Sequence, residues 1–229
     1  QDTAKPNSDE EQLTETEGWL LRSAFIDLIT GLNESLIHGC KIIRFAAAQR
    51  NTKEKPFASK AALENYVNKI DDELMGASIP ALLLELGAGV KHPLVLINEV
   101  QSINKVRNCL IHRNGVVGVR DMNDPEAKVL RLSYLSHRIH ALVEDKDHVV
   151  DRAFKARSPI IHGITTKAIN ATSEHPIGSN IRLSTDLFND VAYTCIVFLQ
   201  GLRLAVYDLL DVVPDQVVPE IVLVKGGAK

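Results

Sequence analysis

Between Val100 and Gly115 one run gathers residue types suited to chemistry on an anion. His112 supplies an imidazole, the side chain that exchanges protons near neutral pH. Asn104, Asn108 and His112 step by four, so on a helix they share one polar face. Arg107 lies beside that face, with Lys105 and Arg113 close by. From Val100 to Arg120 there is no acidic residue, while Lys105, Arg107, Arg113 and Arg120 are cationic. A basic face carrying one imidazole is where acid–base chemistry would be placed.

The element that must hold these groups is a helix with a buried stripe at Val100, Ile103, Val106 and Leu110. Asn114-Gly115 supplies the residues that end a helix in a left-handed turn. Around it the chain reads as mainly α. Thr14-Glu15-Thr16-Glu17 fits a capping box opening a helix to about Ala48, with Leu20, Phe25, Leu28, Ile29, Leu32, Leu36 and Ile43 inward. A second helix is expected over Ser59 to Met75, and a third from Ser78 to Gly89 with Pro80 in its first turn. The fourth follows His92-Pro93. Val116–Arg120, Lys128–Leu135 and Arg138–Val143 read as strands, with a turn at Asn123-Asp124-Pro125. Ser184 or Thr185 opens the last helix, running to about Leu210. The expectation is a helical bundle spanning residues 14–211 as one domain, with a β-rich insertion at 116–183 before the last helix. Residues 1–13 read as a disordered acidic segment and 212–229 as an extended tail.

Composition narrows the function classes. The net charge is −3 over 229 residues. Residues 1–17 account for −5, which leaves +2 for the rest, so only the local basic run argues for a nucleic-acid partner. Cys40, Cys109 and Cys195 form no C-x-x-C pair and sit among apolar residues, as expected of core thiols in a reducing compartment. The polar, acidic start of the sequence does not read as a signal peptide, and the apolar runs read as interrupted short of a membrane span. The expectation is a soluble, cytoplasmic protein with no membrane partner.

Arg107-Asn108-Cys109-Leu110-Ile111-His112 resembles the R-N-x-x-x-H signature of the HEPN superfamily, and Arg113-Asn114-Gly115 continues in that family's style. The resemblance covers about residues 15–115 and 184–210. It implies an α-helical bundle, and for many members a metal-independent endoribonuclease of toxin or anti-phage systems that uses no cofactor. Other members are catalytically silent interaction modules, binding a protein or nucleotide partner. The implied reaction on single-stranded RNA is attack of a ribose 2′-hydroxyl on the adjacent phosphorus. It leaves a 2′,3′-cyclic phosphate and a 5′-hydroxyl. His112 then serves as acid or base, Arg107 balances phosphorane charge, and Asn108 orients the imidazole or bonds a phosphate oxygen. Asn104, Lys105 and Arg113 are the expected RNA contacts, and an antitoxin is a possible protein partner.

Residues five apart on a helix point roughly 140° from each other, so Arg107 and His112 do not converge within one chain. The resemblance implies that dimerisation answers this, two motifs meeting around one cleft, so the expected assembly is a homodimer with the site at its interface. A purely structural account stands beside it. His112 and Arg113 would meet the negative end of the helix dipole, Asn114-Gly115 would be a plain cap, and Arg107 would pair with Glu99 or another acid. Arg131–His137 and Arg157–His162 match the same spacing, the first in a strand-like segment and the second broken by Ser158-Pro159. Gly87-Ala88-Gly89-Val90-Lys91 lacks the ending of a phosphate loop. His137 and His140 fall on opposite faces of a strand, which disfavours a metal site.

Overall fold

The computed structural model describes residues 9–50, 58–143, 146–149 and 161–212. Five α-helices dominate the described residues, joined by one antiparallel sheet that enters between the fourth and fifth. Helix α1 (Asp9–Arg50) is the spine. It begins five residues ahead of the Thr14 box, so residues 9–13, expected to be disordered, are helical. Residues 1–8 and the expected tail from 213 onward lie outside the described residues.

Phe25, Ile29, Leu32, Leu36, Cys40 and Ile43 are all buried and recur at helical spacing along α1. Leu20, expected on that stripe, is exposed. Helix α2 (Lys60–Met75) is capped by Ser59, whose side chain accepts from the Ala62 amide. Helix α3 (Ile79–Gly89) is capped by Ser78 in the same way and carries Pro80 in its first turn. Its end approaches α1 so closely that a Cβ on Gly89 would stand 2.3 Å from Ile43. Glycine is required there by space. Arg44 of α1 ties α2 and α3 to the spine, bonding Glu73 at 2.5 Å and Glu85 at 2.6 Å.

Helix α4 (Ile97–His112) buries Val100, Ile103, Val106 and Leu110, the stripe expected from its sequence. Helix α5 (Thr185–Leu209), capped by Ser184, buries Val191, Cys195, Phe198, Leu202, Val206 and Leu209 in the same core. By length and apolar composition α5 is able to cross a membrane, which the interrupted runs of the sequence do not suggest. In this structure 44% of its most apolar window is buried inside the protein. The three cysteines are buried and free. Burial pushes the Cys40 and Cys195 thiols up to about 12, so they pack as apolar groups.

The insertion is built on β1 (Val129–Val143), β2 (Lys146–Val149) and β3 (Ile161–Pro176), in the order β2-β1-β3 and antiparallel throughout. The two strand segments expected at 128–135 and 138–143 are one continuous strand. Where β2 does not reach, β1 has an open edge, and side chains close it. The outward amide of Arg131 donates to Asn123 Oδ1 at 2.7 Å, that of Ser133 to Ser102 Oγ at 2.9 Å, and that of Leu135 to Thr194 Oγ1 at 2.8 Å. The His137 amide reaches Asp190 Oδ1 at 3.3 Å. Two helices thus act as the missing neighbour strand. Val116–Arg120, expected to be extended, is not a strand. Val116 makes a lone bridge to Asn180, and Val119–Asp121 is one 3-10 turn. Asp121 explains the difference, because its carboxylate takes the Gly118 amide at 2.8 Å and folds the segment back.

Candidate functional site at the end of helix α4

Asn104, Arg107 and Asn108 converge on one cleft. Its volume is about 200 Å³, and its other walls are Ile29, Thr30 and Asn33 of α1 with Ala77, Ser78 and Ile79 at the start of α3. The helical step of three and four that aligns Asn104, Arg107 and Asn108 also turns them toward α1, because Ile103, Val106 and Leu110 fix the helix in the core. Arg107 is half-buried. Its Nη1 donates to Asn108 Oδ1 at 3.1 Å, and its Nε is shielded from solvent with no partner. Asn104 is 9% exposed, and no side-chain partner holds its amide among the described residues. None of the residues lining the cleft is acidic. The expected alternative, an ion pair from Arg107 to Glu99 or to another acid, is not formed among the described residues.

The neighbouring cations are committed elsewhere. Arg113 grips Asp121 through two nitrogens, Nε at 2.5 Å and Nη2 beside the second oxygen. Asp121 is 2% exposed, and its bond holds the Arg113 guanidinium above its ordinary pKa. Lys105 Nζ donates to the Met122 carbonyl at 2.9 Å. Both residues, expected to contact RNA, therefore tie the 116–122 segment to α4. Arg22 of α1 closes the end of α4 by bonding the Leu110 carbonyl and Asn114 Oδ1. Asn114 (φ 52°) and Gly115 (φ 84°) then turn left-handed, and the Gly115 amide returns to the Cys109 carbonyl at 3.1 Å.

His112 stands apart from this cleft. It is exposed, does not line the cleft, and has no hydrogen-bond or ion-pair partner among the described residues. The stripe Asn104–Asn108–His112 thus has its first two members in the cleft and its third one turn beyond it. Sequence reasoning missed Thr30, Asn33 and Ser78, which complete the cleft, and Arg22, which caps α4. Ser78 was legible only as the start of the third helix, and nothing local marks Thr30 or Asn33, whose meeting with Arg107 depends on how α1 packs on α4.

A larger groove of about 990 Å³ lies on the other side of Arg22, between the first part of α1, Gly115 and residues 180–184. Glu15, Glu17 and an exposed Trp19 line it, so it lacks the uniform donor character of the smaller cleft. Among the described residues no group of three or more His, Cys, Asp or Glu could hold a metal ion. His92 Nε2 lies 3.7 Å from Asp208, and His137 Nδ1 is 3.5 Å from Asp190. No protein-family model matches the chain, and neither a curated protein nor a solved structure matches it.

Proposed function

We propose that the chain is a HEPN-type, metal-independent endoribonuclease that cleaves single-stranded RNA by 2′-hydroxyl transesterification, in a toxin or anti-phage setting. The observation that carries the reading is the state of Arg107. Arg22, Lys105 and Arg113 are spent on main-chain carbonyls, an amide and a buried carboxylate, whereas Arg107 faces a cleft without acids. A guanidinium left in that condition is a ready partner for a phosphate oxygen. Asn108, bonded to it, fixes its plane.

In the proposed step a base takes the 2′-hydroxyl proton and the 2′-oxygen bonds to phosphorus. The bond from phosphorus to the 5′-oxygen breaks, and an acid protonates that leaving oxygen. Arg107 balances the charge that gathers on the phosphorane oxygens. His112 supplies proton transfer, and because it lies outside the cleft of its own chain, in this reading it comes from the partner subunit of a symmetric dimer. Purified protein is expected to cleave single-stranded RNA in EDTA, giving 2′,3′-cyclic ends. Arg107→Ala and His112→Ala are each expected to lower the rate by roughly 10²–10⁴-fold. Unchanged cleavage in either variant removes that residue from the mechanism.

A second reading is favoured by the separation of His112 from Arg107. The chain would then be a catalytically inactive module of the same superfamily that binds a nucleotide or protein partner. RNA bound by the wild-type chain but never cleaved selects this reading.

A further inference from the structure

We propose that the cleft under Arg107 is a phosphate subsite built jointly by α1, the start of α3 and α4, and that it seats a phosphodiester of an RNA strand. The binding claim uses the Arg107 placement of the preceding section but does not require that cleavage occur. The start of α3, an eleven-residue helix, opens into the cleft at Ala77, Ser78 and Ile79, and brings the positive end of its dipole. Two independent features point to a missing ligand there. Arg107 Nε is shielded from water without an acceptor among the described residues, and Asn104, nine-tenths buried, lines the same cleft with no side-chain partner among them. A shielded donor such as that Nε is costly unless something accepts from it.

The chemistry of the walls selects the ligand. Asn33, Asn104 and Asn108 each offer an amide NH2, and Asn108 Oδ1 is already used by Arg107. Ser78 Oγ accepts from the Ala81 amide, which leaves its proton free to donate. Thr30 sends its own proton to the Ile26 carbonyl at 2.9 Å and so stands as a neutral rim. Several donors, one cation, no carboxylate and a helix start describe an oxyanion pocket rather than a cation or sugar site. The volume of about 200 Å³ lies below the roughly 300 Å³ from which drug-sized pockets begin. A phosphate group fits it, and a base with its sugar would remain outside, as expected for a strand laid across the mouth.

The test reads binding without catalysis on the whole chain. The side-chain amide NMR signals of Asn33, Asn104 and Asn108 are followed while inorganic phosphate, or a single-stranded oligoribonucleotide with 2′-O-methyl sugars, is added. The methylated strand cannot undergo transesterification, so it remains intact. Both probes are expected to shift these signals, and the strand is expected to displace inorganic phosphate. Asn33→Asp and Thr30→Glu, surface changes on α1 that place a carboxylate at the cleft, should weaken both probes by about 10-fold or more. Arg182→Gln, in the larger groove, should leave them unchanged. Absence of any shift, or full binding in Asn33→Asp and Thr30→Glu, overturns the subsite. Response to inorganic phosphate alone overturns the assignment to an RNA strand. RNA cleavage that persists when phosphate binding is lost sinks the subsite and spares the nuclease reading, whereas binding without cleavage of any RNA does the reverse.

Discussion

Arg107 and Arg113 stand six residues apart at one helix end and do different work. Among the described residues Arg107 holds only Asn108, while Arg113 is locked by two bonds to a carboxylate that is almost wholly buried. Removing Arg113 strands that charge, and stranding a buried carboxylate costs about 3 kcal/mol or more. Arg113→Ala is therefore expected to lower unfolding free energy by that amount in urea titration, with Asp121→Asn in the same background recovering part of it. A loss below about 0.5 kcal/mol would mean the pair is a surface contact and would return Arg113 to the pool of RNA-binding candidates. The two roles were not separable in the sequence. Asn104, Arg107 and Asn108 were legible together because helical spacing is a local property. The Asp121 that claims Arg113 sits in a stretch whose valines read as strand, and only its folding back on Gly118 makes the pair.

Helices and sheet differ in how much of them the chain announces. Ser59, Ser78 and Ser184 each precede a periodic apolar run, and each caps the helix expected there. The start of α1 and the joined length of β1 were not announced. β3, with Gly163, Lys167, Ala168, Asn170 and Ala171 interrupting its β-branched residues, has no continuous strand pattern and pairs with β1 at fifteen positions. The open edge of β1 is equally silent, since Ser102, Thr194 and Asp190 look like ordinary helix residues until a strand lies beside them. Thr194 is fully buried, and it both accepts from the Leu135 amide and donates to the Asp190 carbonyl at 2.8 Å. Thr194→Val keeps the shape and removes the acceptor, leaving a buried amide unmet. The expected cost is about 1–3 kcal/mol, with faster hydrogen exchange at Leu135 than at residues bonded to β3. Unaltered exchange at Leu135 would show that α5 only packs against this edge and does not complete it.

At the scale of the whole molecule the question is whether one chain holds a complete site. Arg107 opens onto a cleft between α1, α3 and α4, while His112 faces outward one turn later, so the proposed chemistry needs Arg107 of one subunit with His112 of its partner. That arrangement has a consequence that no single-chain site shares. In a dimer of one Arg107→Ala chain and one His112→Ala chain, both lesions fall in the same composite site and the other site is intact. Random pairing makes about half of the dimers mixed, so about one quarter of all sites, and of wild-type cleavage, should return when the two inactive variants are unfolded and refolded together. Each variant refolded alone should remain inactive, and the recovered activity should follow the mixed dimer in light-scattering chromatography. A site contained within one chain gives no recovery at any mixing ratio, because every chain then carries one lesion. Zero recovery from variants that are folded and dimeric would place His112 beside its own Arg107, and would require the end of α4 to unwind before RNA is cut.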